Sequence, residues 1–406
     1  MEPPSHLFAV ARTNRHYDVA IVGAGPVGLA VAIELSQLGL AVLVLDRRPP
    51  LERDTRARPQ LLVARTGDLA HLAELGVDVR DDKLVSLLAI RTERDLASGT
   101  VVSGELRKLP RWFDRAERLD TLARQPPIAL VPIAKLQQAL LARALNLGAE
   151  VQYECEVTRL RRHAREVSVV CSNGLSVRAT MAIVATGAAR PLITSLLGEP
   201  VSALPEQRLI AGVFAVGGDR GRWVRVEIPV PGHPEAVRCT LLQTPSYSGS
   251  GTAVLIDPRV SATASEDQLR TCFDAAAHEL GLAGAPYLHE PQVFSASVTE
   301  VPRRFIAGDN RAPVIIAGDA AQTGHVFSGQ TCFINVALAL SLCDQLRGAR
   351  KAIADRAMQS PQLTRALTHY AGESAHGASL LAQASHRHLT RHAPGKWALA
   401  GVATAS

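Results

Sequence analysis

The sequence predicts a mixed α/β protein with a parallel-sheet domain, an antiparallel β-sheet domain inserted into it, and a helical C-terminal tail. Three observations favour this fold class. Apolar strand and helix patterns alternate from Tyr17 to Gly187. Short β-rich segments separated by Gly, Pro and Ser turns fill residues 200–302. An apolar strand followed by an apolar helix then returns between Pro313 and Leu346.

The first motif lies in the segment Tyr17–Asp46. Its β-branched apolar run from Tyr17 to Val22 predicts a buried parallel strand, and three glycines with GxGxxG spacing follow it. The first glycine permits a tight turn, the second lets the backbone approach a pyrophosphate, and the third lets a helix pack against the strand. A helix predicted from Pro26 to Leu38 points its positive amino-terminal end at the phosphates. The glycines are Gly23, Gly25 and Gly28.

An acidic residue completes this unit. Gly39 ends the helix, Ala41 to Leu45 forms a second predicted strand, and Asp46 follows that strand. A carboxylate there accepts hydrogen bonds from ribose hydroxyls and disfavours a 2′-phosphate, so the unit predicts FAD or NAD(H) instead of NADP(H). Strand, helix and acid together favour a dinucleotide site over a structural glycine turn. The predicted site also includes Pro26, Val27 and Arg47.

The composition narrows the function classes. The chain has 406 residues, 47% of them hydrophobic, and a dispersed formal charge of +6. The dispersed charge and an aromatic content of 4% argue against a nucleic-acid-binding surface. Six cysteines without CxxC or zinc spacing predict free thiols. The lack of a signal-peptide pattern and of an apolar span of about 20 residues predicts a cytoplasmic protein without a membrane span.

Three histidines near the carboxyl end, His386, His388 and His392, are a candidate metal cluster. The last two have i,i+4 spacing, but no Glu lies between them and arginines surround them. The sequence therefore favours a solvated basic helix and predicts no bound metal. A glycine-rich stretch at 217–221 lacks a flanking strand and helix and is interpreted as a surface turn.

The second motif follows the predicted strand Pro313–Ala317. Gly318 and Asp319 end that strand, and a loop leads into an apolar helix from about Gln330. A carboxylate at the end of a parallel strand can hold ribityl or ribose hydroxyls. The start of a helix can stabilise negative charge on a ring system.

These residues resemble the single-component FAD-dependent monooxygenases of the para-hydroxybenzoate hydroxylase fold, which include the ubiquinone-pathway hydroxylases. Three family signatures occur in the family's order: GxGxxG at 23–28, a strand that ends in Thr186 and Gly187, and G-D-A-A at 318–321. The resemblance covers residues 15–346 and implies a Rossmann-type FAD-binding domain. It implies flavin contacts from Arg58, Thr186, Gly187, Ser328, Gly329, Gln330 and Thr331, and it implies His325 and Gln330 beside the ring as candidate catalytic residues.

The resemblance also divides the chain into domains. It implies an FAD-binding domain in three parts, a substrate domain in two parts, and C-terminal helices. The FAD-binding parts are residues 1–80, 126–199 and 303–346, the substrate parts are 81–125 and 200–302, and the C-terminal helices are 347–406.

The implied activity is that of a monooxygenase. In the family, reduced flavin captures O2 at C4a, and the hydroperoxide hydroxylates or epoxidises a small organic substrate. The apolar composition suggests an apolar or aromatic molecule, such as a natural-product intermediate, with NADH or NADPH as reductant. A homodimer and a partner reductase are left open.

Several positions depart from the family pattern. Thr186 replaces the usual Asp and Gln322 the usual His, while Val326 and Thr331 replace a Pro and a Gly of the loop H-P-x-x-G-Q-G-x-N. Asn335 lies two residues late. These departures keep alternatives open: a reductase, an oxidase or a non-redox cyclase of the same fold, or a non-catalytic FAD-binding protein.

Overall fold

The computed structural model describes residues 15–51, 60–88, 119–120, 128–188, 191–198, 200–219, 221–228, 237–257, 265–307, 309–326 and 329–390. Its strands are β1 (His16–Val22), β2 (Val42–Leu45), β3 (Leu61–Ala64), β4 (Ser86–Leu87), β5 (Ala129–Pro132), β6 (Glu150–Gln152), β7 (Val157–Arg162), β8 (Val167–Cys171), β9 (Ser176–Val184), β10 (Val201–Phe214), β11 (Arg222–Ile228), β12 (Val237–Gln243), β13 (Thr252–Asp257), β14 (Tyr287–Glu300), β15 (Phe305–Ile306) and β16 (Val314–Ile316). Its helices are α1 (Pro26–Gln37), α2 (Thr66–Glu74), α3 (Ile133–Asn146), α4 (Pro191–Leu197), α5 (Glu266–Glu279), α6 (Thr331–Ala354) and α7 (Pro361–Thr390).

An eight-stranded sheet forms the centre of the fold. Strands β16, β9, β1, β2 and β6 run parallel in that order, β15 pairs antiparallel with β16, and the β7–β8 hairpin joins through β9. Every residue of β2 and of β16 is buried, as the continuous apolar runs predict for parallel strands covered on both faces. The predicted parallel sheet is therefore confirmed.

Two helices in this sheet domain end at glycines. Gly39 after α1 and Gly76 after α2 have left-handed φ angles of +75° and +81°. Residues with a side chain rarely adopt this conformation, and Gly39 ends α1 at the predicted place. The turn at Gly174, with φ +84°, joins β8 to β9 as a hairpin.

A five-stranded antiparallel sheet follows in the order β11-β12-β13-β10-β14. It confirms the β-rich character expected of residues 200–302, and α5 packs on one of its faces through Phe273. Side chains of its β12 and of a small sheet, β3-β5-β4, form a separate apolar layer. The residues of this layer are Leu61, Val63, Leu130 and Leu242.

The carboxyl-terminal part is helical, as predicted. Helix α6 packs against α1 and α7, and its residues Phe333 and Leu342 belong to the main apolar core. Among the described residues, no helix combines the length and the apolar character needed to cross a bilayer. His392 lies outside the described residues.

Candidate cofactor site

The carboxyl ends of the parallel strands bring the predicted motifs together. Gly23 follows β1, Asp46 follows β2, Gly187 comes after β9, and Asp319 comes after β16. These four strands are parallel neighbours, so their carboxyl ends share one edge of the sheet. Ligands of open α/β sheets bind at such an edge.

The glycine turn has the shape of a phosphate-binding turn. Gly23 has a φ of +115°, and a Cβ there would strike the backbone carbonyl of Ala185. A Cβ on Gly28 would strike the carbonyl of Gly23, so turn and helix approach as closely as the motif requires. Gly25 differs, because no described residue other than its two chain neighbours lies within 4 Å of the position of its Cβ. This open position at the start of α1 fits a pyrophosphate.

Asp46 is buried and held by donors on both carboxylate oxygens. It accepts from the backbone N–H of Ala24 at 2.7 Å, from that of Arg48 at 2.8 Å, and from the Arg48 guanidinium at 3.1 Å. Burial raises the pKa of Asp46, but the hydrogen bonds and charge of Arg48 and the Ala24 N–H outweigh it, so the pKa is lowered overall. The acid is therefore ionised at neutral pH and oriented by Arg48, which the sequence analysis did not identify.

A buried amide supports the glycine turn from α3. Gln137 is 3% exposed, and its Nε2 donates to the carbonyl of Ala24 at 2.6 Å. Gln137 is not among the residues predicted from the sequence, although its position on the helix could have indicated it. Gln137 stands beside Leu136 and before Leu140 on the apolar face of its helix, where a polar side chain needs a partner.

The loop before α6 packs against β3 and α2. A Cβ on Gly329 would lie 3.4 Å from the Cβ of Val63, and the Gly329 carbonyl accepts from Nη1 of Arg65 at 3.4 Å. The same Nη1 donates to the Asp68 carboxylate at 3.4 Å, and both charged side chains are buried. Burial raises the pKa of Asp68 to about 6, against the charge and hydrogen bonds of Arg65. This ion pair anchors the loop, and the sequence analysis did not identify it.

Two of the departures from the family pattern contact each other. Nδ2 of Asn335 donates to Oδ1 of Asp319 at 2.8 Å and to the carbonyl of Gln322 at 3.3 Å. Nε2 of Gln322 donates to Oδ1 of Asn335 at 3.2 Å. Both amide side chains are 1% exposed. The sequence presents them as separate changes, whereas the fold joins them beside the second acid.

The two candidate catalytic residues have different surroundings. His325 is 1% exposed, and its Nε2 lies 2.8 Å from Oε1 of Gln207 on β10. Its backbone N–H donates to Oγ of Ser385 on α7 at 2.8 Å. Gln330 is the half-buried N-cap residue of α6. The contacts of His325 connect three segments, and its catalytic role stays a prediction.

Most of the remaining predicted contacts lie within the described residues. Pro26 and Val27 are buried in the first turn of α1, and a Cβ on Gly318 would lie 3.1 Å from the side chain of Val27. Thr186 is half-buried and Arg47 is exposed. Thr331 is the first residue of α6. Arg58 and Ser328 lie outside the described residues.

The parallel sheet, the glycine turn with its open position and the acid after the second strand define a dinucleotide-binding α/β protein. A sequence profile of the family "FAD dependent oxidoreductase" matches residues 18–231, just over half of the chain. The chain belongs to this family. The resemblance to FAD-dependent enzymes that the motifs indicate is thereby confirmed, and the dinucleotide is FAD.

Comparison with individual proteins agrees with this assignment. The 12-dehydrotetracycline 5-monooxygenase/anhydrotetracycline 6-monooxygenase of Streptomyces rimosus is 31% identical over 38% of this chain and 26% of its own length. A rifampicin monooxygenase of Streptomyces venezuelae is 30% identical over 45% of this chain and 34% of its own length. The chain thus spans about a quarter to a third of the length of these relatives. The structure of p-nitrophenol 4-monooxygenase PnpA from Pseudomonas putida superposes with a TM-score of 0.64 and 18% identity, over 94% of this chain and 91% of that one, which shows a shared fold.

Proposed function

We propose that the protein is an FAD-dependent monooxygenase that hydroxylates or epoxidises a small apolar or aromatic organic molecule. The observation that carries the proposal is the open position beside Gly25, next to the buried and ionised Asp46. Relatives named as monooxygenases of anhydrotetracycline and rifampicin support an oxygen-inserting reaction on a polycyclic substrate. They favour this activity over the reductase, oxidase, cyclase and non-catalytic alternatives.

In this proposal each motif binds one part of FAD. The N–H groups at the start of α1, beside Gly25, bind the pyrophosphate, and Asp46 accepts from the adenosine ribose. Asp319 accepts from the ribityl chain. The positive end of α6, at Thr331, faces the ring and stabilises negative charge on it. Bound FAD supplies the redox and oxygen chemistry, while the protein orients the reactants and excludes water.

The substrate would lie between the loop before α6, here called the flavin loop, and the five-stranded sheet. Helix α5 packs on one face of that sheet, whereas Leu242 of β12 lies in an apolar layer with Leu61 and Val63 of β3. Val63 also adjoins Gly329 of the flavin loop. Such a layer favours an apolar ligand. In this proposal residues 81–125 and 200–302 form the substrate domain. Residues 1–80, 126–199 and 303–346 bind FAD.

The reductant and the assembly complete the proposal. NADH or NADPH would reduce the flavin, and O2 would be the second substrate. Thr186 has no carboxylate to offer a nicotinamide, so a partner reductase is the competing source of electrons. A homodimer is the competing assembly to a monomer.

An anaerobic titration tests the function. Purified protein should show the visible absorption bands of bound flavin, and these should bleach on addition of NADH or NADPH. Admission of air with a panel of hydroxylated polycyclic aromatics should then give O2 uptake and an oxygenated product. Bands that stay oxidised with both nicotinamides would assign reduction to a partner protein. A protein that cannot be reconstituted with FAD would refute the proposal.

A further inference from the structure

A buried chain of hydrogen bonds connects helix α7 to Asp319. Nε of Arg304 donates to Oγ of Ser374 at 2.9 Å, and Oγ of Ser374 donates to Oε1 of Gln322 at 3.1 Å. Gln322 then donates to Asn335 at 3.2 Å, and Asn335 donates to Asp319 at 2.8 Å. The chain therefore begins at a guanidinium and ends at a carboxylate.

Every link in this chain has the same direction. Arg304 can only donate and a carboxylate oxygen can only accept, so the two ends fix which atom of each amide donates. Hydrogen bonds arranged in series polarise one another, and links to charged groups are the stronger ones. Oδ1 of Asp319 is thus connected, through Asn335 and Gln322, to a residue of α7.

Burial makes the chain costly to interrupt. Ser374 is fully buried, Gln322 and Asn335 are 1% exposed, and Arg304 is 5% exposed. A buried polar group that loses its partner destabilises the fold, so each link depends on the next.

Helix α7 also provides the space for the central amide. A Cβ on Gly377 would lie 2.8 Å from Cδ1 of Leu338 on α6 and 3.1 Å from Nε2 of Gln322, closer than side chains ordinarily approach. Gly377 and Ser374 are three residues apart and therefore share one face of the helix. Gly377 leaves room for α6 and for Gln322, and Ser374 donates to Gln322.

We infer that Gln322, Asn335 and Ser374 are positioning residues of the cofactor site, which act through Asp319 to fix how its carboxylate meets the ribityl chain of FAD. The inference rests on the proposed function, because it requires FAD at this edge of the sheet. It makes α7 part of the cofactor site, and it gives the displaced Asn335 and the unusual Gln322 one shared role.

A double-mutant cycle separates this role from a merely structural one. The dissociation constant of FAD is measured by flavin fluorescence on dilution of the holoprotein, for the wild type, Asn335→Ala, Asp319→Ala and the double variant. We expect Asn335→Ala to raise the FAD Kd about tenfold, the effect of losing roughly 1.4 kcal/mol. In the Asp319→Ala background the same substitution should change the FAD Kd by less than about twofold, since residues that act through one another are not additive.

Matched controls account for stability. Ser374→Ala should raise the FAD Kd about threefold, because it is one link further from the acid. Ser379→Ala makes the same change at an exposed position of α7 and should leave the Kd unchanged. Leu342→Ala removes a buried side chain of α6 and should lower the melting temperature without changing the Kd.

The outcomes are distinct. An FAD Kd for Asn335→Ala equal to that of the wild type, or a tenfold effect that persists without Asp319, would overturn the inference and leave the proposed function intact. A loss of affinity in Leu342→Ala as large as in Asn335→Ala would show that stability alone controls binding, which also overturns it. A wild-type protein that binds no FAD would refute the proposed function, and the inference with it.

Discussion

Alanine at Gly25 tests the open position on which the cofactor site depends. Gly25 has an extended backbone with a φ of −74°, which any residue adopts, and a methyl group would meet no described atom within 4 Å. The folded protein should therefore accept the substitution. Because Gly25 is the N-cap residue of α1 and alanine is a poorer N-cap than glycine, we expect a loss of about 1 kcal/mol in the free energy of unfolding.

FAD affinity should fall much further than stability. A phosphate oxygen must come within about 3 Å of the backbone N–H groups to accept from them. A methyl group at position 25 takes up the space for that approach, so at least one charge-assisted hydrogen bond is lost. Such a bond contributes about 1.5–3 kcal/mol, which corresponds to a rise in the FAD Kd of roughly 10- to 150-fold.

Alanine at Gly28 provides the comparison. Its Cβ would strike the carbonyl of Gly23, and a backbone atom cannot turn aside as a side chain can. This variant should lose about 1–3 kcal/mol of stability or more, together with FAD. Flavin fluorescence gives the FAD Kd, and urea unfolding of the apoprotein gives the stability. Wild-type FAD affinity in Gly25→Ala would refute the placement of the pyrophosphate beside Gly25.

Three further predictions concern single side chains. Burial raises the pKa of Asp68 to about 6, so the contribution of this group to stability is complete below pH 4 and is lost as the pH rises to 6. Over that pH range the free energy of unfolding of Asp68→Asn should rise by up to about 3 kcal/mol relative to that of the wild type. Urea unfolding that shows the same pH dependence of stability for both proteins would contradict this. His325→Gln should lower the free energy of unfolding by about 1–3 kcal/mol, because the hydrogen bond to Gln207 is lost, and should change FAD affinity little. A loss of turnover at unchanged stability would instead support a catalytic His325. Cys332 is the least buried of the six cysteines, so a thiol reagent should label it first in the folded protein, and Cys332→Ser should remove the fast phase.

The sequence was sufficient for the parallel sheet because its signals are local. The strand Tyr17–Val22, the glycines after it and the stop at Gly39 each follow from the conformational preferences of neighbouring residues. Parallel strands place their carboxyl ends at one edge, so Asp46 and Asp319 could be predicted to lie at the same edge although 273 positions separate them. Periodicity and topology thus predicted the location of the site.

The contacts within the site could not be predicted in the same way. The hydrogen bond from Arg65 to Gly329 joins residues 264 positions apart, and neither residue type indicates the other. Ser374 reaches Gln322 from a helix whose periodicity shows an apolar face but not the element that it meets. Periodicity determines which face is buried, whereas these pairings depend on packing between helices and loops.

The departures from the family pattern can now be separated by their surroundings. The Gln322 side chain donates to Asn335, and Asn335 donates to the Gln322 carbonyl and to the second acid, so together they form a local alternative to the usual residues. Val326 differs, because it is 37% exposed where the family has a proline. Proline restricts the loop backbone and valine does not, so we expect the change at Val326 to affect loop mobility. The alternative functions that the departures keep open therefore concern Val326 and Thr186, and their reversal to proline and aspartate is the more informative test of catalysis.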